Sequence, residues 1–595
     1  MSGFLLCWYR DGGAPDDAVV AAVVATLRAR GPEATRVLRT AHAVAVHTAF
    51  TDAIGAEEDL PLHADDVLLA ADLRLDDRAT LRARLRDAGH ALAPDATDAA
   101  LLHAAVRAWG ADAPGRLLGD YAYAALRPAA GRFDAVRGTA GVKPLFVVET
   151  PRLVAASNAL EALLALPGVP ADEDERHLAE FLRTGSPVSP WRTARRAVAR
   201  VPASHACAWG RTGGAARRRH WRFPEPAPRA VRDPREATEG FRAVLADAVR
   251  DRLRVPAASI QLSGGLDSPA LAATARRALP TLGLHALTVS HARVLPTDEA
   301  TWAARAAAHL SLPHVVVEAG VHEALAHLDL AGLRTAEPVA DAELAAWRAR
   351  ARELAAFGPV TIDGEDGDSL LAPPDLLTLL RTRLWTETFA AWRAHTRARG
   401  RRPWIGLREV GPFARRRRAS YWAAPEWMRA DVRARHGEAP PDAPPANRVR
   451  PVAAWSHQQP VWETLFAVDD PDVTGVPLTV VLPFLDARVI AYVFALPPIP
   501  WCQEKTLLRE AMRGLLPDDL LARPKTALGG AHEVAVRAWR ESGGPARPLA
   551  HPMDDLVDER RWRSVLQRGD AEAVLAAWRV FEVARWRAQP GAARA

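Results

Sequence analysis

The stretch Gln261-Leu262-Ser263-Gly264-Gly265-Leu266-Asp267-Ser268-Pro269 sets two glycines, an acid and two hydroxyls between an apolar run and a run of small residues at helical spacing. "AASIQL" reads as a short buried strand and "PALAATARRAL" as a helix, so the motif is a strand-to-helix loop. Gly264 and Gly265 permit a tight turn and close approach of a ligand. Backbone N–H groups at the helix start can face phosphate oxygens, and Ser263 and Ser268 add hydroxyl donors. Pro269 suits the first helical turn, where its missing N–H costs nothing. An acid inside an anion nest makes sense if Asp267 holds Mg2+ against the same phosphates. The motif alone also fits a glycine turn with a serine cap.

A second loop, Thr361-Ile362-Asp363-Gly364-Glu365-Asp366-Gly367-Asp368-Ser369, carries four acids in six positions directly after another apolar run. Such acids repel one another unless a cation offsets them. The functional reading makes Asp368 a metal ligand beside Asp267 and Glu365 an acceptor for an amine proton near the reacting centre. The alternative is a solvent-exposed Asp/Gly turn.

These loops need a scaffold that brings them together. From Phe241 the pattern alternates helix and strand: "LHALTVS", "HVVVEA" and "GPVTIDG" read as strands and "DEATWAARAAAHL" as a helix. That order predicts a parallel sheet with covering helices, which binds ligands beyond the carboxyl ends of its strands. The first half, residues 1–223, alternates "HAVAVHTAF", "DVLLAADLRL", "GDYAYAAL" and "VKPLFVVE" with the helix-like "RATLRARLRDAG" and "TDAALLHAAVRAWG". A sheet-rich α+β domain fits it. Prolines in "FPEPAPRAVRDPREA" mark a linker over 224–240, leaving 241–595 as the second domain. The proline-rich 433–451 reads as an insert or lid that cannot continue a helix.

Composition narrows the class. The chain has 595 residues, 49% hydrophobic and 25% charged, and 77 basic against 71 acidic residues give a net charge of only +6. This near balance argues against a nucleic-acid partner; the run Arg415 to Arg418 reads as a solvated helix face or a contact for an acidic partner. Cys7, Cys207 and Cys502 are too dispersed for a disulfide scaffold, so a reducing cytoplasm is expected. No window has the length and apolarity of a membrane span. Nineteen tryptophans exceed ordinary needs and suggest core contacts or a groove for an extended substrate.

The second half resembles the synthetase domain of the asparagine synthetase family. The resemblance rests on Ser263 to Ser268, Asp298-Glu299-Ala300, Gly364 to Asp368, Leu482-Pro483-Phe484-Leu485-Asp486, Lys505-Thr506-Leu507-Leu508-Arg509, and Leu516-Pro517 through Arg523-Pro524-Lys525, all in family order. Asp366 stands where a glycine is usual and Ser369 where Glu is frequent. The first half resembles the family's glutaminase domain through Ser2-Gly3-Phe4, Gly119 to Tyr123, Gly141 to Leu145 and Ala156-Ser157. Ser2 replaces the cysteine nucleophile, although serine at that position remains a chemically competent nucleophile. The arginine- and asparagine-containing glutamine-pocket signatures are not recognisable, and only Asp98 retains a family position.

The resemblance implies an α/β and α+β chain: an ATP-pyrophosphatase (HUP-like) synthetase domain behind an Ntn-glutaminase-like domain that has lost efficient ammonia production. It implies ATP and Mg2+ as cofactors. Ser263, Gly264, Gly265, Asp267, Ser268, Ser290 and Gly364 would bind nucleotide, and Asp267 and Asp368 metal. Glu365 and Lys525 would be catalytic, Lys525 beside the acyl-adenylate and departing pyrophosphate. Asp298 and Glu299 read as helix cap and first-turn acid, with an indirect metal or substrate role open. Lys505 and Arg509 read equally as helix-surface, salt-bridge or supporting groups, and Trp422 as cavity wall or core.

A synthetase without an ammonia supply can use an amine carried by its substrate, as β-lactam synthetases and lasso peptide cyclases do. Chain length, degenerate first domain, tryptophan content and proline-rich insert are more similar to the lasso cyclase branch. That branch would adenylate an internal Asp or Glu of a leader-free precursor peptide and join it to the N-terminal amine. A leader peptidase and a precursor-recognition protein would be its partners. The alternatives are a β-lactam or other amide-forming synthetase and a non-enzymatic peptide-binding scaffold.

Overall fold

The computed structural model describes the chain apart from residues 53–58, 225–232, 293–297, 319–325, 331, most of 374–422, 438–449, 525–530, 542 and 590–595. Arg415 to Arg418, Trp422 and Lys525 therefore lie outside the described residues.

The first half contains two six-stranded antiparallel sheets. Strand Gly3–Tyr9, buried along its whole length, pairs with Ala43–Ala49 and Leu153–Ser157 in one sheet. Val67–Leu75, Gly119–Arg127 and Arg132–Arg137 lie side by side in the other. Strand alternation explains how the sheets stack. Phe4, Leu6 and Trp8 share a core with Leu68, Ala70, Ala122 and Ala124 from the second sheet, whereas Leu5, Cys7 and Tyr9 face Val20, Val23 and Leu163 of helices Asp17–Leu27 and Leu160–Leu164. Helix Asp98–Trp109 covers the outer face of the second sheet. The result is a helix–sheet–sheet–helix sandwich.

The second half is built on a five-stranded parallel sheet in the order His314–Glu318, Gly283–Ser290, Ala257–Gln261, Val360–Ile362, Thr479–Val481. Strand order reverses between Ala257–Gln261 and Val360–Ile362, so the loops leaving these neighbours emerge side by side at the topological switch point. Both loops are those singled out by their residue types. Phe241, Leu245 and Val249 of helix Pro234–Arg252 anchor the core against Ile260, Ala270, Phe484 and Phe494.

Two expected boundaries need correction. Residues 234–240, assigned to the linker, open a 19-residue helix: Asp233 accepts from the backbone N–H of Arg235, and Pro234 occupies the first turn. Proline there starts a helix instead of breaking it. The segment 433–451, of which 438–449 lie outside the described residues, is helical at its described start. Its first residues complete helix Ala430–His436, with Arg435 and His436 reaching Glu175 at 3.0 and 2.8 Å. Its end, Arg450, is buried and leads into helix Pro451–Ser456.

Arginine–carboxylate pairs join the two halves. Arg252 meets Asp76 at 2.9 Å, Arg254 meets Asp98 at 2.7 Å, and Arg137 meets Glu463 at 2.8 Å. Arg30 contacts Asp470 and Asp472. Arg74 extends the Arg252 cluster inside the first domain, bonding Asp76 and Asp120. Arginine suits such sites because its planar fork satisfies several acceptors at once. The three cysteines are unpaired and buried in three separate cores.

Candidate functional site

Helix Asp267–Ala278 begins at the glycine loop, so the positive end of its dipole lies at the crevice. The two serines organise that loop. Ser263 N–H donates to Ser268 Oγ at 2.8 Å, the two hydroxyl oxygens lie 3.0 Å apart, and Gly265 N–H donates to Ser263 Oγ at 3.2 Å. A Cβ on Gly264 would lie 2.6 Å from Glu299 O, so a side chain there would collide with the next helix. Arg523 reaches across to Gly264 O and to Asp298, closing this wall. Ser290 is buried at the end of its strand, its Oγ accepting from Ala292 N–H at 3.2 Å.

The acid loop sits against this nest. Gln261 donates to Asp363 Oδ2 at 2.7 Å, and Glu365 N–H donates to Asp363 Oδ1 at 2.9 Å. A Cβ on Gly364 would meet Ser268 N at 3.0 Å, and one on Gly367 would come within 2.6 Å of the Asp267 carboxyl. Glycine spacing thus lets the two loops touch. Asp366 has φ +71°, which explains why glycine suits this position; its buried carboxylate lies 2.7 Å from His457 Nε2.

Asp267 and Asp368 converge on one cation. Lys505 Nζ contacts Asp267 Oδ2 and lies 2.6 Å from Asp368 Oδ1. Its helix-surface reading is therefore corrected: Lys505 adopts φ +57° immediately before helix Thr506–Ala511 and points its ammonium into the crevice. The pair also meets the requirement for Mg2+. That ion commonly takes one or two protein carboxylates and completes its shell with phosphate oxygens and water.

Other expected residues have supporting positions. Asp298 occupies the N-cap position of helix Glu299–His309 but makes no capping bond; its carboxylate accepts from Trp302 Nε1 at 2.6 Å and pairs with Arg523. The cap reading is corrected accordingly, while Glu299 is the first-turn acid. Arg509 ties the backbone together, donating to Glu504 O at 2.8 Å and Arg523 O at 3.0 Å. It thereby positions the segment leading to Lys525.

Two residues were not among the expected set. Asp469 and Arg350 share the electrostatic environment of Asp363, and Asp469 also feels Glu365. The acid run Asp469-Asp470-Pro471-Asp472 was the available signal for the first; Arg350 is concealed among the arginines of an ordinary helix. Partial desolvation and then the Asp363 charge raise Glu365 to about 7; its side chain is nevertheless exposed at the loop surface, which limits the desolvation part of the shift and leaves the neighbouring acids as the firmer cause. Burial and the same charge raise Asp469 to about 7. A carboxylate poised there can exchange a proton near neutrality.

The first domain offers a different picture. Ser2 lines a cavity of about 310 Å3 with His47, Asp52, Asp72 and Asp98. Among the described residues, Ser2 Oγ hydrogen-bonds only the backbone of Phe50, accepting from its N–H at 3.1 Å. Burial lowers His47 to about 4, leaving it neutral. Asp98 is fully engaged, 2.7 Å from Arg254, 3.0 Å from Arg78 and accepting from Leu75 N–H at 2.9 Å.

Comparison with known proteins follows the same division. The "Asparagine synthase" family model matches residues 240–588, and the "Glutamine amidotransferase domain" model matches residues 1–221. Asparagine synthetase [glutamine-hydrolyzing] 3 of Bacillus subtilis (strain 168) is 24% identical over 549 residues, covering 85% of this chain and 83% of that protein. Among solved structures, a glutamine phosphoribosylpyrophosphate amidotransferase from B. subtilis complexed with ADP and GMP is 12% identical, with TM-score 0.27, over 53% of this chain and 65% of the other. An allosteric regulatory enzyme of purine biosynthesis is likewise 12% identical, with TM-score 0.26, over 53% of this chain and 80% of its own.

Proposed function

The chain belongs to the asparagine synthase family of ATP-dependent amide-forming ligases, and from that premise we propose that it is a macrolactam synthetase of the lasso peptide cyclase type. It adenylates an internal Asp or Glu side chain of a leader-free peptide and joins it to the peptide's N-terminal amine. A side-chain carboxylate oxygen attacks the α-phosphorus of ATP and pyrophosphate leaves. The neutral amine then attacks the acyl carbon, AMP leaves, and the amine proton passes to Glu365. Asp267 and Asp368 would hold Mg2+ together with nucleotide, and the ion would supply charge neutralisation at the phosphates. The chain's own loops hold the phosphates through backbone N–H groups and serine hydroxyls, and Lys525 belongs beside the departing groups. Positioning both peptide ends makes closure intramolecular, which is where the enzyme gains most over free reactants.

The observation that carries the choice of an internal amine is Asp98. Asp98, the one position of the first domain that retains the family pattern, is engaged by Arg78 and Arg254, and Ser2 Oγ bonds only the backbone of Phe50 among the described residues, which supports a first domain that supplies no ammonia. The reading also includes a leader peptidase and a precursor-recognition protein as partners, and a cytoplasmic setting; no helix among the described residues is long and apolar enough to cross a membrane.

Incubation with a matched leader-free peptide, Mg2+ and ATP is expected to yield a product lighter by one water, with AMP and pyrophosphate. Fragmentation should assign the new bond to the N-terminus and an acidic side chain, and ion mobility should separate the product from an unthreaded cyclic isomer. Comparable turnover of a small free β-amino acid would select the β-lactam reading instead. Ser2→Ala is expected to leave cyclisation unchanged; glutamate release from glutamine that vanishes in this variant would restore amidotransfer.

Acyl transfer should also show an acid limb with an apparent pKa near 7, since Glu365 accepts a proton only when ionised. The value belongs to the coupled set of Asp363, Glu365 and Asp469. Single-turnover rates of Glu365→Gln should be low and should keep only the acid limb set by the substrate's own N-terminal amine, which an N-terminally unaltered peptide titrated alone locates at about 8; an unchanged profile and rate would remove Glu365 from the proton path.

A further inference from the structure

Between the two domains lies a cavity of about 240 Å3 that the reaction described above does not use. Its walls include Trp191 and Trp221 from the first domain, Phe223 beyond them, and Trp462 and Phe466 from the second. It exceeds the apolar cavity of about 150 Å3 that takes benzene. It is smaller than the roughly 300–1,000 Å3 sites that enclose drug-sized molecules. The volume therefore fits one aromatic ring system with a short substituent.

Polar features at the walls refine the chemistry. Arg219 lines the cavity with its Nε donating to Trp221 O at 2.9 Å. Burial and neighbouring Arg222 lower its guanidinium below the ordinary value, the signature of a cation short of negative charge. The lining also contains one acid, Glu463, which pairs with Arg137 at 2.8 Å and Arg200 at 3.4 Å; among the described residues no carboxylate lies within salt-bridge distance of Arg219 itself. The wall also contains His457, whose ring is stacked 6.5 Å from Trp462 and packed 5.1 Å from Phe223. His457 Nε2 is the group 2.7 Å from Asp366 in the acid loop. Ser456, next in the chain, adds a hydroxyl contact to Ser369 at 3.0 Å. Displacement of the His457 ring would therefore be felt by the loop that carries Glu365 and Asp368.

We propose that this interdomain cavity binds an aromatic ring bearing a carboxylate or similar acceptor, and that His457 couples its occupancy to the acid loop. The ring stacks among the indoles and the acceptor meets Arg219. A free aromatic acid and an aromatic peptide residue with a nearby carboxylate present the same chemistry. The coupling half of the proposal rests on the adenylation reading; the binding half does not.

Saturation-transfer NMR on the full chain with indole and indole-3-acetate tests binding directly. Both probes should bind the unaltered protein. Gln459→Trp, which adds bulk at the cavity wall, should abolish transfer, and Arg219→Gln should weaken indole-3-acetate about tenfold while sparing indole. Absence of transfer to the unaltered protein, or transfer indifferent to Gln459→Trp, would overturn the site. Displacement of the probe by a peptide carrying an aromatic residue, but not by its alanine counterpart, identifies a substrate side chain as the occupant; displacement by neither identifies a free ligand. With binding established, indole-3-acetate should change the ATP–pyrophosphate exchange rate about fivefold or more. That response should disappear in His457→Gln, and an equal response in this variant would overturn the coupling while leaving the site and the adenylation reading intact.

Discussion

Asp267→Asn is expected to reduce product formation about 10³-fold or more while leaving the melting temperature nearly unchanged. The carboxylate lies in the first turn of helix Asp267–Ala278, where the helix dipole favours a negative charge, and faces Lys505 together with Asp368. Asparagine preserves volume beside Gly367, whose missing Cβ is what lets the two loops meet. What is lost is one formal charge of a two-carboxylate site that must offset a cation shared with the phosphates. Lys505 would then pair with Asp368 alone and compete for the remaining ligand. Pyrophosphate release at several Mg2+ concentrations, set beside circular-dichroism melting, separates this effect from unfolding. Undiminished turnover at saturating Mg2+ would rule out a direct role for Asp267.

The second large effect is structural. Arg252→Ala should destabilise the folded chain by about 3–5 kcal/mol, because it leaves acids from two domains buried without their shared cation. Arg252 lies 2.9 Å from Asp76 and also contacts Asp486, the acid of the Leu482 to Asp486 motif. Burial alone would raise Asp486, but Arg252 and Arg488 hold it well below the usual carboxylate range. Its stabilising contribution is present above the ordinary carboxylate value of 3.8 and is lost as pH falls toward the depressed one. Urea unfolding followed by separate probes in each domain would read the loss. Adding Asp76→Asn to Arg252→Ala should recover part of it, since it removes a buried charge that would have lost one of its two arginine partners and kept only Arg74; equal stability of the single and double variants would show that Asp76 does not depend on Arg252.

The parallel sheet was legible because its strands are short apolar runs broken by helices, and the two chemical loops because glycine, serine and acid cluster directly after such runs. Strand Thr479–Val481 has three residues and leaves no periodic trace. Ala34–Arg39 is an exposed edge strand whose arginines resemble a loop. Proline misled at Pro234, which starts a helix instead of extending the linker. At the site, local motifs revealed Asp267 and Asp368 as candidates. The place of Lys505 between them depends on a contact spanning 238 residues and a left-handed backbone, neither of which spacing encodes. Arg350 and Asp469 were hidden for the same reason, since their significance arises only when the chain folds them beside Asp363.

The three enclosed cysteines give the enzyme a practical property. Burial raises the thiols of Cys7, Cys207 and Cys502, with Cys207 at about 11, so each is mostly protonated at neutral pH as well as sterically shielded. Maleimide dyes should therefore ignore the native fold. A single cysteine placed on the surface would become the sole fast-reacting handle, allowing a fluorophore to be set at one chosen position without first stripping the protein of its own sulfur.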